Sequence, residues 1–330
     1  MAAIVSGLDR IDNDMKATEG GGLNATLSAV AATAIARSDL WILIRRDSTH
    51  LPVDELRAVR ARFAAFVRTL SERILEEQPA LGEANAAWVA RAVIATFAAP
   101  SQYPQRLSPR HLQATLVHVS GNLLIIDASE DQAVATPYAR QGPFDPAASR
   151  REQLLQHASV LFADRGYQEV SIDDIGAAAD IAGPSIYHHF RSKSEILVAI
   201  LRRAIEWIEF DRMRATRESD DPQQVLTLLV RSYTLLALDH PELFRIFTHE
   251  SIHLPREERV MIRNAHRQFF TSWVSLLAQV RPELTDAQAQ TLVSCALCVI
   301  NDLSLSKTIR ADAKRELRLA QLAFRVLETP

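Results

Sequence analysis

Ser171-Ile172-Asp173-Asp174-Ile175-Gly176-Ala177-Ala178-Ala179-Asp180-Ile181-Ala182-Gly183-Pro184-Ser185-Ile186-Tyr187-His188-His189-Phe190 is the stretch on which the reading of this chain turns. Ser171 stands where a helix N-cap belongs, with Asp173 and Asp174 in the first turn behind it. A break at Ala182-Gly183 follows. Pro184 then opens a second short helix to Phe190, at the first helical position, where its missing N–H costs nothing. Ile172, Ile175, Ala179, Ile181, Ile186 and Phe190 make one inward face. That leaves Gly183, Pro184, Ser185, Tyr187, His188 and His189 on the outside of the second helix. Two short helices, a tight turn and a second helix with a small, polar outer face are what a helix-turn-helix requires. Small residues let the backbone approach a major groove, and polar ones meet base edges and phosphates.

The flanks agree. A helix is expected from about Ala148 to Arg165, closed by Gly166 as C-cap. Ser192 caps a long helix from Lys193 to about Thr216. Between Gly183 and Arg203 there are four Arg/Lys residues against one acid, Glu195, with His188 and His189 added. The chain as a whole carries a net charge of -3, so a nucleic-acid contact has to come from such a local patch.

Composition sets the fold class. The 330 residues are 48% hydrophobic, with few glycines and abundant Ala and Leu, which favours an all-α protein of two or three domains. The two cysteines, Cys295 and Cys298, lie in the apolar run Leu292–Ile300 and read as core, without a second ligand pair for a metal. No signal peptide or membrane-length apolar run is visible, so a cytoplasmic protein with no membrane association is expected. No P-loop, nucleophile elbow, zincin motif or dinucleotide turn is present, so neither enzymatic activity nor a cofactor is expected.

Upstream, apolar spacing predicts helices over Leu23–Ala36, Ser38–Arg46, Asp54 to about Gln78, Ala84–Phe97 and His111–Ile126. Pro100, Pro104 and Pro109 mark a loop between the last two. Residues 128–147 hold Ser129, Glu130, Asp131, Pro137, Gly142, Pro143 and Pro146 and read as a linker. The expected domains are therefore 1–127, 148–207 and 208–330.

The first and last of these repeat each other at an offset of 203 residues. Leu40 matches Leu243. Ser48, His50, Leu51 and Pro52 match Ser251, His253, Leu254 and Pro255. Arg60, Phe66, Pro79 and Leu81 match Arg263, Phe269, Pro282 and Leu284. From Leu40 to Ala86 there are 12 identities in 47 positions without a gap. Ser, His, Pro and Arg in register are not a by-product of alanine-rich composition, so one helical domain occurs twice.

On these residues a resemblance can be stated. Leu161-Phe162, Gly166-Tyr167, Val170-Ser171-Ile172, Ile175-Gly176, Ala179, Ile181-Ala182, Ile186 to Phe190 and Lys193-Ser194-Glu195-Ile196-Leu197 resemble the DNA-binding domain of TetR-family bacterial regulators. The resemblance implies a DNA-binding transcriptional regulator, a repressor by family habit, with double-stranded operator DNA as partner. It implies that Ser171 caps the first motif helix and contacts a phosphate. It implies that Gly183, Pro184 and Ser185 face bases or backbone, that Tyr187 and His188 contact phosphates and base edges, and that Lys193 meets a phosphate. His189 is equally suited to structure or contact. The all-helical remainder corresponds to a ligand and dimerisation domain. Trp207, Phe210, Phe247, Phe270, Trp273 and Asn301 are candidates for a pocket taking a hydrophobic inducer. His249 and His253 have metal-ligand spacing, but Arg46 opposite His249 favours packing, and no metal is expected.

The repeat resembles a subset of actinobacterial TetR regulators with two full copies in one chain. Here Met1 falls opposite Ala204, so the first copy is expected to lack a helix-turn-helix, lost or upstream of this start. The two ligand-type domains are expected either to pair within the chain as a pseudo-dimer, through 84–97 and 111–126 against 287–303 and 314–327, or to support a homodimer. A helical co-regulator without independent DNA binding is the alternative.

Overall fold

The computed structural model describes residues 2–18, 20–39, 41, 52–125, 149–181 and 183–330. The helices are α1 (Ala2–Ala17), α2 (Gly22–Ala36), α3 (Val53–Glu77), α4 (Glu83–Gln102) and α5 (Pro109–Leu123), then α6 (Arg150–Arg165), α7 (Ile172–Ala178), α8 (Gly183–Ile186), α9 (Lys193–Glu218) and α10 (Pro222–Asp239). They end with α11 (Pro241–His249), α12 (Arg256–Val280), α13 (Asp286–Ser304), α14 (Lys307–Ala311) and α15 (Arg315–Leu327). No strand occurs among the described residues. The protein is all-α, as its composition requires. The linker at 128–147 and most of the expected helix 38–46 lie outside the described residues.

The 203-residue offset reappears in the helix bounds. Shifted by 203, α3 becomes 256–280, the bounds of α12. Likewise α4 becomes 286–305 against Asp286–Ser304, and α2 becomes 225–239, ending with α10. The shifted α5 is 312–326 against Arg315–Leu327, and α1 becomes 205–220, over the second half of α9.

Two compact units divide the chain. One is Met1–Val134 with Val274–Pro330, the other Ala135–Trp273. In the first, α4 packs along α13, and α5 and α15 flank them. These are the segments expected to pair. Every residue of α13 from Thr291 to Ile300 is buried, and so is α4 from Trp88 to Ala99 apart from Arg91. A helix apolar on all sides is stable only when covered on all sides, and each of these two helps to cover the other. At the periphery Asn122 Nδ2 donates to the carbonyl of Arg325, its own counterpart at offset 203. Under two-fold symmetry a residue touching its equivalent lies on the axis.

Pro100 corrects a sequence expectation. It does not open a loop: α4 continues through it to Gln102. Proline removes the N–H that would bond the carbonyl four residues back, that of Thr96. The Cys295 Sγ approaches that carbonyl at 3.9 Å instead. Burial pushes the Cys295 thiol up to about 12, so it stays protonated and can donate. Pro109 is likewise helical, at the first position of α5 behind the Ser108 cap.

The second unit has one hydrophobic core. Leu154, Leu155, Ala158 and Phe162 of α6 meet Ile175, Ala179, Ile186 and Phe190, then Ile196, Leu197, Ile200 and Leu201 of α9. Leu243 and Ile246 of α11, with Leu254 and Ile262, join the same core. The motif is thus seated on α11 rather than hung from a linker.

Candidate nucleic-acid interface

Ser171 caps α7 reciprocally. Its Oγ accepts from Asp174 N–H at 3.0 Å, and its N–H donates to Asp174 Oδ2 at 2.8 Å. This capping box satisfies two orphan donors. The Ser171 hydroxyl also donates to Asp174 Oδ2 at 2.6 Å, and this bond, the one from the Ser171 N–H, and Arg165 3.6 Å away hold the Asp174 carboxyl below its ordinary range.

The turn is not where the glycine suggested. Asp180 takes the left-handed conformation at φ +53°, and Ile181 N–H closes on Gly176 carbonyl at 2.8 Å. Asp is among the few non-glycine residues that tolerate this region. Gly183 is instead the first residue of α8, and Pro184 the second. The second motif helix is regular only over Gly183–Ile186. It then tightens, with His189 N–H reaching Ile186 carbonyl at 2.8 Å, a three-residue span.

Gly176 sets the approach of the two motif helices. A Cβ there would lie 2.7 Å from Ile181 carbonyl oxygen and 2.7 Å from Ile186 Cδ1. Any side chain would push α8 away. Burial follows the expected inward face: Ile175, Ala179, Ile186 and Phe190 are enclosed, while Ile172 and Ile181 are half-buried. Ser185 and His188 are exposed, Tyr187 is 57% exposed, and His189 is half-buried. Tyr187 therefore has no place in the core. Arg151 lies over the Phe190 ring at 4.7 Å, adding a cation at the edge of this face.

Lys193 does something the sequence did not disclose. Its Nζ donates to the carbonyls of Tyr167 at 2.7 Å, Val170 at 2.8 Å and Gln168 at 3.3 Å. It also lies 4.4 Å above the Tyr167 ring, and burial lowers its pKa. All three ammonium protons thus have acceptors in the loop leading into α7. The other side of that loop is held by the repeated His-Leu-Pro segment. The His253 ring stacks on Tyr167 at 5.2 Å, its Nδ1 is 3.1 Å from Gln168 Nε2, and its Nε2 is 3.6 Å from the buried carboxylate of Glu250. Arg245 of α11 donates to Ala163 carbonyl at 3.2 Å, at the end of α6. Periodicity identifies apolar faces but carries no signal for such contacts across long sequence separations.

The six candidate pocket residues do not converge. Trp273 is wholly buried. Phe247 packs on His266 at 4.8 Å, and Trp207 on His240 at 4.9 Å. Phe270 is half-buried. Phe210 is 64% exposed on α9, and Asn301 belongs to the other unit, so neither lines an aromatic interior of this one. No group of three or more metal-ligating side chains, and no helix long and apolar enough to cross a membrane, occurs among the described residues.

Comparison with known proteins agrees with this geometry. Residues 154–200 match the family model described as bacterial regulatory proteins, tetR family. The transcriptional repressor KstR2 of Mycolicibacterium smegmatis is 32% identical over 141 residues, 42% of this chain and 67% of that protein. The transcriptional activator FasR of the same organism is 36% identical over 94 residues, 28% of this chain and 43% of its own length. A TetR-family regulator from Bordetella parapertussis has a similar fold, with a TM-score of 0.50 at 19% identity, over 54% of this chain and 94% of that one. Matched relatives include both a repressor and an activator, which gives the function in its general form. This chain belongs to the TetR family of bacterial regulatory proteins and is a DNA-binding transcriptional regulator.

Proposed function

We propose that the chain is a ligand-responsive repressor that reads one operator half-site with the motif Ser171–Phe190, on a body of two paired ligand-type domains. The domains are 1–127, 148–207 and 208–330, with the linker 128–147 between the first two. TetR regulators bind operator DNA as dimers. Here the packing of α4 and α5 against α13 and α15 supports a pairing made within one chain. The contact of Asn122 with its own repeat counterpart is the single observation that carries this reading.

In this reading α8 and the turn after it enter the major groove. The exposed Ser185, Tyr187 and His188 meet base edges and phosphates, and His189 supports them from a half-buried position. Gly183 and Pro184 bring the backbone close, and Ser171 offers its end of α7 to a phosphate. Lys193 contributes through its place in the first turn of α9, where the helix dipole favours an anion, since its ammonium is engaged by the loop. The inducer is a hydrophobic small molecule. Phe244 and Phe247 of α11 border the aromatic interior, and the segment after α11 carries His253 to the loop before α7. A ligand that prefers one placement of α11 shifts the reader with it.

Electrophoretic mobility shift with operator DNA from the gene's own neighbourhood, combined with analytical ultracentrifugation, tests the proposal. One 36.8 kDa chain per half-site is expected. Tyr187→Ala and His188→Ala are each expected to weaken binding by about 1–3 kcal/mol without lowering Tm. An obligate dimer on a palindrome overturns the half-site reading. Absence of any shift at low salt favours the co-regulator instead.

A further inference from the structure

The second half of α9 carries a stripe left open among the described residues. Glu206, Phe210, Met213 and Arg217 are all exposed, at successive spacings of four, three and four residues. That spacing keeps them on one face, in the pattern of a seam that meets another helix. Phe210 is 64% exposed and Met213 43%. Single apolar side chains at a surface are ordinary, but two neighbours at the centre of a seam make a continuous patch.

The charges around the patch point to what meets it. Between Arg202 and Glu218 most charged side chains are engaged within the chain. Arg202 bonds Glu258 at 2.9 Å, Arg203 bonds Glu152 at 2.5 Å, Glu209 bonds Arg212 at 2.5 Å, and Arg214 lies 3.9 Å from Glu218. Asp211 is engaged as well. Glu206 and Arg217 are the two whose side chains make no ion pair or hydrogen bond among the described residues. One is an acid and the other a base, and they stand at opposite ends of the patch.

This order is its own complement. A two-fold axis midway between Asp211 and Arg212 exchanges position 206 with 217 and position 210 with 213. An antiparallel copy therefore sets Glu206 of each chain against Arg217 of the other, with Phe210 packed on Met213 twice. An isologous contact requires such self-complementarity. One acid and one base leave no excess of cations for a nucleic acid, and the face of one helix offers no concavity for a small molecule. The first repeat has Ala3, Gly7, Arg10 and Asp14 at the matching positions. It has neither the apolar pair nor the opposite charges, so the stripe belongs to the copy that carries the reader.

We infer that α9 is a self-association surface, where two chains pair antiparallel through Phe210 and Met213, with Glu206 of each chain against Arg217 of the other. This goes beyond the half-site reading. With the bundle closed inside each chain, as proposed above, this face is how chains on neighbouring half-sites meet. Three turns of one helix bury far less than the roughly 1,200 Å² of a stable complex, so free chains separate when dilute and pair when DNA holds them close.

Sedimentation equilibrium of the full chain from about 10 μM to about 1 mM tests this, since mass action populates a weak pair at the upper end. A monomer–dimer equilibrium without larger species is expected, because a closed two-fold contact leaves no open face. Glu206→Arg and Arg217→Glu each place like charges at both ends and are each expected to weaken pairing about tenfold. The double variant restores opposite charges and is expected to return to the original constant. Phe210→Ser is expected to abolish pairing and leave the Tm of the dilute chain unchanged, since the side chain it replaces is exposed. A chain monomeric throughout, a dimer that persists in Phe210→Ser, or a double reversal no tighter than the single ones overturns the inference. Amide protection over 206–217 that is equal at both ends of the concentration range assigns the stripe to another segment of the same chain, and overturns it too. None of these measurements contains DNA, so the half-site reading stands or falls separately.

Discussion

Gly176 shows how one missing atom fixes the angle of the reader. Alanine is the better helix former by about 1 kcal/mol, so propensity alone favours Gly176→Ala. The added methyl would sit 2.7 Å from a backbone carbonyl, which cannot swing aside as a side-chain tip can. Overpacking of this kind costs about 1–3 kcal/mol, and here it displaces α8. Gly176→Ala is therefore expected to lower the urea midpoint and to weaken DNA binding. A variant with an unchanged or raised midpoint would remove this account of the turn. His266 gives a second test at this scale. Burial lowers its imidazole from 6.5 to about 4. Between those values the unfolded chain takes up a proton that the folded chain refuses, so stability falls as pH drops from 6.5 towards 4. Above 6.5 the group contributes nothing. The full loss amounts to about 3 kcal/mol at most. His266→Phe, the residue the first repeat has at this position, is expected to flatten urea midpoints measured between pH 7.5 and pH 5.

Among the elements, the loop from Gly166 to Val170 decides how firmly the body holds the reader. It is clamped from one side by Lys193 and from the other by His253. His253→Ala removes a stacked ring and a bond to Gln168, together worth about 1–2 kcal/mol. Faster amide exchange in 166–170 is expected, with α7 and α8 still protected. Unchanged exchange there would show that Lys193 alone suffices. The shared Ser-His-Leu-Pro could be read from the repeat, but not its purpose, because the contact spans 86 residues from Tyr167 to His253. The same division runs through the other elements. Ser171 and Ser192 are visible caps because their work is local. Gly183 looked the best turn residue and Pro100 a helix end, since local preference ranks them so. Asp180 took the turn because Gly176 lets Ile181 close on its carbonyl. Pro100 stayed helical in a segment enclosed by its neighbours, where a thiol on another helix approaches the carbonyl it left open. Each departure was decided by a partner distant in sequence or by tight packing, neither of which a local pattern encodes.

For the molecule as a whole, the decisive question is whether the helical bundle is made by one chain or by two. In an obligate dimer, mass action makes Tm rise with protein concentration. Domains joined in one chain meet at an effective concentration on the order of millimolar, set by the connection and independent of the bulk. The unit that joins α4 and α5 to α13 and α15 is therefore expected to melt at the same temperature from about 1 to about 100 μM. Burial on every face makes a second expectation. Neither α4 nor α13 can stay folded when stripped of the other, because each would then expose a continuous apolar surface. Val93→Asp, which places a carboxylate at a 0% exposed position in α4, is thus expected to cost several kcal/mol and to unfold both repeats' share of this unit together. The motif shares a different core, Leu154 to Leu201 with Leu243, Ile246, Leu254 and Ile262, and should keep its near-native exchange protection in that variant. A Tm that climbs with concentration in the unmodified chain would mean that two chains complete the bundle, and that the reader works in symmetric pairs after all.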